Sequence, residues 1–198
     1  ITEEGVYFAN GMQTNVVPVI SNIGLSQQEL SPMPDAFNRN AWGRMKISPG
    51  GNYIAMSSNG LNAVEVFDFD IATGVVSNPR QITIARPRDV EFSSDGTLLY
   101  VGRHYNCYKF GCNITYPPST HVHQFNLLAG DSAAFINSST IVSQFSPACW
   151  GYDGNQLQLG PDMKVYSTIS NCYQLDLCVI NNKKNKYEYN KFFKYSQL

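Results

Sequence analysis

The chain has 198 residues, of which 43% are hydrophobic and 15% charged, with a formal net charge of −1. That length and apolar content suit one or two domains with a sizeable core, and the near-neutral balance supplies neither a basic stripe for nucleic acid nor an acidic tail for a cationic partner. No apolar run approaches the ~20 residues that a bilayer span requires, and 12 Tyr with 11 Phe favour pleated surfaces over helices.

The chain opens "ITEEGVYFANG", with neither an initiator Met nor an apolar signal region, as a processed piece of a longer protein would. The stretch "GVYFANG…VVPVISN" has room for a first sheet unit, and Ser26 to Asn40, with Pro32 and Pro34, reads as a long loop. From Met45, "MKISPGGNYIAMSS" alternates apolar and polar residues on both sides of a Pro-Gly-Gly turn, which predicts a β-hairpin. A third strand, "AVEVFDFD" (Ala63 to Asp70), follows, and then a turn-rich "IATGVVSNP" leads into "RQITI" (Arg80 to Ile84) as a fourth.

The same plan recurs twice. "VEFSSDGTLLYVGR" from Val90 is the second hairpin, with "HVHQFNLL" (His121 to Leu128) and "SSTIVSQF" (Ser138 to Phe145) as its outer strands across a turn-rich "AGDSAAFIN". "QLQLGPDMKVYS" from Gln156 is the third, followed by "DLCVINN" (Asp176 to Asn182) and by alternation in "YEYNKFFKY". Its turn has Met163 where Gly96 stands in the second copy, which predicts a change of turn type, because a side chain with positive φ is strained. No convincing amphipathic helix pattern is present.

The turns begin at Ser48, Ser93 and Gly160; the first interval, 45 residues, matches the ~40–45 of propeller blades. The longer second interval holds "HYNCYKFGCNITYPPST", an insertion over 104–120 between two strands of one blade. The expected fold is all-β: antiparallel four-stranded blades of a β-propeller, a partial one of about three to four blades, with boundaries near 1–40, 41–85, 86–146 and 147–198.

Candidate chemistry is sparse. His121 and His123 share one strand face and have His104 nearby in sequence, but no carboxylate completes a metal set, so two surface histidines are expected and no metal or cofactor. Asp68 and Asp70 could offer oxygens to Ca²⁺, yet without a calcium-loop spacing they are expected to cap the turn at Ala72-Thr73-Gly74. Arg86 and Arg88 at the start of a blade could clamp a carboxylate or phosphate, with Arg88 pairing to Asp89 or to a neighbouring blade as the plainer role. Tyr105, Tyr108 and Tyr116 in the insertion, with Trp42 and Trp150 beside loops, could stack on sugars or pack between blades.

Of five cysteines, Cys107/Cys112 and Cys172/Cys178 are close enough in sequence for local disulfides, with buried reduced thiols as the alternative; Cys149 is left over. Asn113 and Asn137 sit in N-glycosylation sequons, and Asp131-Ser132-Ala133 is a short O-glycosylation-like pattern at Ser132.

In order and spacing, "PVISNIG", "GRMKISPGGNYIAMSS", "VEVFDFDIATGVVSN", "VEFSSDGTLLYV", "VHQFNL" and "LQLGPDMKVYS…CVINN" resemble the C-terminal half of the WD/YVTN-like β-propeller in secreted proteins of gliding Bacteroidota. Such propellers often have Asp where this chain has Gly50 and Gly where it has Met163. The resemblance implies an exported or cell-surface protein linked to type IX secretion, with the remaining blades supplied by another segment or chain. On this basis the expected function is a non-catalytic scaffold that binds proteins or glycans. The alternative is a YVTN-like sugar-lactone hydrolase, in which central-channel His, Arg or Glu residues act on a small polar substrate.

Overall fold

The computed structural model describes residues 6–7, 13–14, 43–103, 120–145, 156–171, 174–180 and 188–192. A short antiparallel pair, β1 (Val6–Tyr7) with β2 (Gln13–Thr14), precedes three four-stranded antiparallel sheets. The first sheet orders β3 (Met45–Ile47), β4 (Tyr53–Ser58), β5 (Ala63–Asp70) and β6 (Val75–Thr83). The second orders β7 (Pro87–Phe92), β8 (Leu98–Arg103), β9 (Thr120–Asn126) and β10 (Thr140–Phe145). The third orders β11 (Leu157–Leu159), β12 (Val165–Asn171), β13 (Gln174–Ile180) and β14 (Glu188–Phe192). In each, chain order is spatial order, and the first strands β3, β7 and β11 lie side by side. These are three consecutive blades of a β-propeller.

Burial explains why the blades must stack. Blade one turns Ala55, Val64, Val66, Ile82 and Ile84 toward Val90, Phe92, Leu99, Val101, Phe125, Leu127 and Phe135 of blade two. The opposite face of blade two sends Tyr100 and Val122 against Leu157, Val165 and Ile180 of blade three. Alternation along each strand of blade two thus feeds two cores, and each fully buried Val, Leu or Phe is worth about 1.5–3 kcal/mol.

Two outer elements depart from the sequence expectation. β6 runs unbroken from Val75 through Asn78-Pro79, with Asn78 at φ 49, instead of beginning at Arg80. As an outer edge strand it tolerates a proline that a central strand would not. "SAAFIN" forms a helix, α1 (Ser132–Asn137), where turns alone were expected. Asp131 caps it, its Oδ1 accepting from Ala134 N at 2.8 Å, and Ala-Ala propagates it; six residues are too few to show a helical period.

The three hairpin turns share a first bond and a left-handed residue. Gly51, Gly96 and Met163 each donate their N–H to the carbonyl three residues back, at 2.8, 2.9 and 3.0 Å, and have φ of 71°, 69° and 64°. The expected change of turn at Met163 takes the form of a shortening: Gly160 N bonds Lys164 O, four residues on, where Ser48 N and Ser93 N bond Tyr53 O and Leu98 O, five residues on, and Met163 still adopts the left-handed conformation. Since that region costs a side-chain-bearing residue ~1–2 kcal/mol, Met163→Gly is expected to stabilise the protein by about 0.5–1 kcal/mol, read as a higher midpoint in urea with unchanged slope.

The turns define a lower rim, and the opposite ends of the inner strands an upper rim. Asp70, Asp95, Asp131 and Asp162 lie at the lower rim, whereas Arg44, Arg86, Arg88 and Arg103 lie at the upper. Asp70 caps its turn as expected, accepting from Ala72 N at 2.9 Å and Thr73 Oγ1 at 2.7 Å, and both bonds hold its carboxyl below the usual range. Asp68 instead pairs with Arg80 at 2.7 Å and accepts from Asn78 Nδ2 at 2.8 Å.

Candidate active site

The inner strands carry equivalent residues at fixed distances before their turns: Arg44, Asp89 and Gln156 in one layer, Lys46, Glu91 and Gln158 in the next. In β7, Ser93 N bonds Leu98 O, so the amides of Asp89 and Glu91 face β8 and those of Val90 and Phe92 face the propeller axis. By the same alternation, Leu157 N and Leu159 N of β11 face away from β12. Two carboxylates satisfy all four donors. Asp89 Oδ1 and Oδ2 accept from Val90 N and Leu157 N, both at 2.9 Å. Glu91 Oε1 accepts from Phe92 N at 3.0 Å, and Oε2 from Leu159 N at 3.1 Å and Lys46 Nζ at 2.8 Å. Lys46 Nζ also reaches Gln158 Oε1 at 3.3 Å, which ties blade one to blade three. Burial pushes the Asp89 carboxyl up, against the bonds from Leu157 and Val90 and the charges of Arg44 and Lys46.

Above this floor, the chain passes from blade one to blade two through Arg86, which has φ 51 immediately before Pro87. That left-handed conformation is held by Asn62, whose Oδ1 accepts from Arg86 N at 2.9 Å. The register of β7 on β8 then shifts between Pro87 and Asp89, leaving Arg88 as the extra residue of a β-bulge. Asn59 Nδ2 donates to Pro87 O at 3.3 Å, and Ser57 Oγ to Arg88 O at 3.4 Å. A strained residue and a bulge next to each other re-aim side chains in the way binding sites do.

The row across blade two at this level is Pro87, Arg103 and His121 on β7, β8 and β9. Arg103 and His121 are direct partners and share a face, on which His123 lies one step lower, opposite Val101. The two imidazoles meet edge to face with centroids 5.9 Å apart, and His123 stacks on Phe125 at 6.4 Å. Its Nδ1 lies 3.4 Å from Ser139 Oγ. Burial, then the charges of His121 and Arg103, pushes the His123 imidazole down to about 4. Burial first and Arg103 second lower His121 in the same direction. Both rings are neutral at pH 7 and able to accept a proton.

Between pH 6.5, the ordinary value, and about 4, the unfolded chain holds a proton at residue 123 that the folded chain refuses. Stability is therefore complete above that window and falls as pH drops through it. Replacing His123 by Phe should flatten this acid decline by about 1–2 kcal/mol, allowing for the water that reaches a partly exposed ring. Thermal melts at pH 7.5 and 4.5 check it.

Of the sequence candidates, Arg86, Arg88, His121 and His123 fall at this upper end, and the structure adds Arg103. The histidines are not the surface pair expected: His123 is packed against the core because blade one covers that face. Tyr105, Tyr108, Tyr116, Trp42, Trp150, His104, Asn113, Cys107, Cys112, Cys149 and Cys172 lie outside the described residues. Cys178 is buried on β13, facing Ser167 of β12. Ser132 and Asn137 are exposed at the two ends of α1. Among the described residues no cluster of three metal-binding side chains occurs, and no helix is long and apolar enough to cross a membrane. Glu91 escaped the sequence reading and Asp89 entered it only as a partner for Arg88; two acids at alternate positions of an otherwise apolar inner strand were the available signal.

The family model for "Lactonase, 7-bladed beta-propeller" matches residues 8–105, a stretch that contains blade one, Arg86, Arg88 and Arg103. No curated protein matches the sequence. Solved structures similar to the chain include a candidate 6-phosphogluconolactonase from Bacteroides uniformis, at 16% identity and TM-score 0.49, covering 74% of this chain and 38% of that one. A second from Bacteroides fragilis has 10% identity and TM-score 0.47, covering 73% and 36%. The pyranose dehydrogenase PQQ domain from Coprinopsis cinerea has 14% identity and TM-score 0.47, covering 84% and 38%. The chain thus spans under two fifths of the length of these neighbours.

The match corrects the expected function. It is to an enzyme family, so the non-catalytic scaffold gives way to the lactonase alternative. It supports the propeller without bearing on gliding motility, type IX secretion or a WD-type identity. The scaffold expectation rested on the lack of a contiguous acid–base motif, which a site assembled from several blades need not have.

Proposed function

We propose that this chain forms part of a propeller hydrolase that opens a small, hydroxylated lactone, with the upper rim of blades one and two in the active site. The match of the lactonase family model to residues 8–105 carries this reading. The rim chemistry fits it. Water attacks the lactone carbonyl carbon while neutral His121 accepts the proton, His123 holding its ring edge-on from behind. Arg103 or Arg88 stabilises the oxyanion, the ring C–O bond breaks, and the proton passes to the departing alkoxide to leave a hydroxy acid. A positioned general base contributes about 10²–10⁴ in rate, and a preorganised donor at the oxyanion about 10²–10³. Four arginines on one rim and four aspartates on the other favour a substrate that carries a negative charge.

The test is hydrolysis of glucono-δ-lactone and of its 6-phosphate by the full-length protein, above the spontaneous rate. His121→Gln is expected to lower kcat at least about 100-fold, and Arg88→Ala to raise KM for the phosphorylated substrate more than for the neutral one. Absence of turnover of either lactone by the folded wild type rejects the reading. Export, with the link to type IX secretion, is a separate proposal resting on motif order; surface labelling of intact cells, lost in a secretion mutant, checks it.

A further inference from the structure

The end of the β4–β5 hairpin grips the crossover from blade one to blade two. The ladder between β5 and β6 runs one step past Thr83, with Asn62 O accepting from Ile84 N at 2.9 Å. The next amide in line, that of Arg86, is met by the Asn62 side chain, whose Oδ1 accepts at 2.9 Å. Asn62 thus holds alternate amides of the crossover with its two oxygens. It stands at φ 53 itself, a conformation that asparagine tolerates better than most residues. Asn59 closes the same turn, its carbonyl accepting from Asn62 N at 3.3 Å, and its Nδ2 donates to Pro87 O at 3.3 Å.

Arg86 has two backbone states open to it. Pro87 disfavours the right-handed region for the residue before it, which leaves the extended region and the left-handed one. For arginine the extended region costs less, yet Arg86 stands at φ 51. Three side-chain bonds, from Asn62 to Arg86 N, from Asn59 to Pro87 O and from Ser57 to Arg88 O, decide between the two. Passage to the extended state turns the Cα–Cβ bond of Arg86 and displaces Pro87, and with it the bulge that carries Arg88.

We propose that Asn62 is a positioning residue: by holding Arg86 left-handed it aims the Arg86 and Arg88 guanidiniums at the anionic group of the substrate, and so sets the preference for a phosphorylated lactone over a neutral one. It acts through the backbone of Arg86 and not by contact with substrate. The inference deepens the lactone reading and takes its substrate class from it.

Asn62→Gly is the test variant, because glycine keeps the left-handed backbone and the bond to Ile84 while removing only Oδ1. In the full-length protein it is expected to raise KM for glucono-δ-lactone 6-phosphate at least about tenfold, the worth of one charge-assisted contact, and to lower the selectivity for it over glucono-δ-lactone by the same factor. A merely structural role would not do this, since an unfolded fraction lowers kcat for both substrates alike and leaves KM and the ratio where they were. Asn59→Ala, the second variant, should move the ratio the same way by about threefold. Calorimetry with 6-phosphogluconate reads the same site without turnover, and its binding should weaken about tenfold in Asn62→Gly. Wild type that binds 6-phosphogluconate but opens neither lactone ends the lactone reading alone, and weaker binding by Asn62→Gly then still upholds the role of Asn62. Turnover by wild type with the ratio unchanged in either variant overturns this proposal alone. Wild type that binds no 6-phosphogluconate, or an equal loss for both lactones in Asn62→Gly, also overturns it.

Discussion

Changing Asp89 to Asn and Glu91 to Gln together is expected to destabilise the protein by about 3–5 kcal/mol, although neither change alters size or shape. In each carboxylate both oxygens accept N–H donors, one from its own strand and one from β11, so an amide can answer only one of them. Its NH₂ must face the other donor, leaving a buried amide without an acceptor at about 1–3 kcal/mol per site, besides the lost charge-assisted bond. Lys46→Met is the contrast. It removes one contact from Glu91 but leaves the carboxylate two backbone donors, and should cost about 1 kcal/mol or less because Lys46 is partly exposed. Urea unfolding of the three proteins decides it. A double amide variant within 1 kcal/mol of wild type would remove the carboxylates from the account of how blade three is held.

Phe135→Ala is expected to cost about 3–4 kcal/mol, more than its place in a six-residue helix suggests. The ring is fully buried between blades one and two. It packs on Phe125 with centroids 5.7 Å apart, and the Arg80 guanidinium lies over it at 5.4 Å. The same guanidinium lies over the Tyr53 ring at 5.2 Å, and its NH2 reaches Asp68 at 2.7 Å. Arg80→Ala should lose about 2–3 kcal/mol from these cation–π contacts and the packing of its stem. Arg80→Lys should recover less than half, since an ammonium cannot present a plane to two rings. A double-mutant cycle between positions 80 and 135 should return a coupling of about 1 kcal/mol; strict additivity would mean that the contact is geometry without energy.

What could be foreseen from the chain was whatever is decided locally. The hairpin strands follow from period-2 alternation and from Gly or Asp at the turns, and "AVEVFDFD" coincides with β5, whose first five residues are buried. Met163 was foreseen as a difficulty, and the turn there is one residue shorter than its counterparts, yet the ladders on both sides still hold Met163 in the left-handed region. The helix of α1 hid in a segment too short for periodicity. The bridging of β7 to β11 depends on which amides are left over once two separate hairpins have formed, 68 residues apart, and no local pattern encodes that. His121-Val122-His123 was visible as a pair on one face, but only the blade packed across from it half-buries the inner ring and pushes its imidazole down.

Strand β7 serves both of its neighbours at once: its apolar residues fill the seam with blade one while its acids hold the edge of blade three. Stacked repeats ordinarily loosen one unit at a time, beginning at an end. Here an opening of the middle blade strips both flanking blades of their partners in one event. Exchange of the amide hydrogens on β4, β8 and β12 should accordingly share a single opening free energy, making the three blades one cooperative unit.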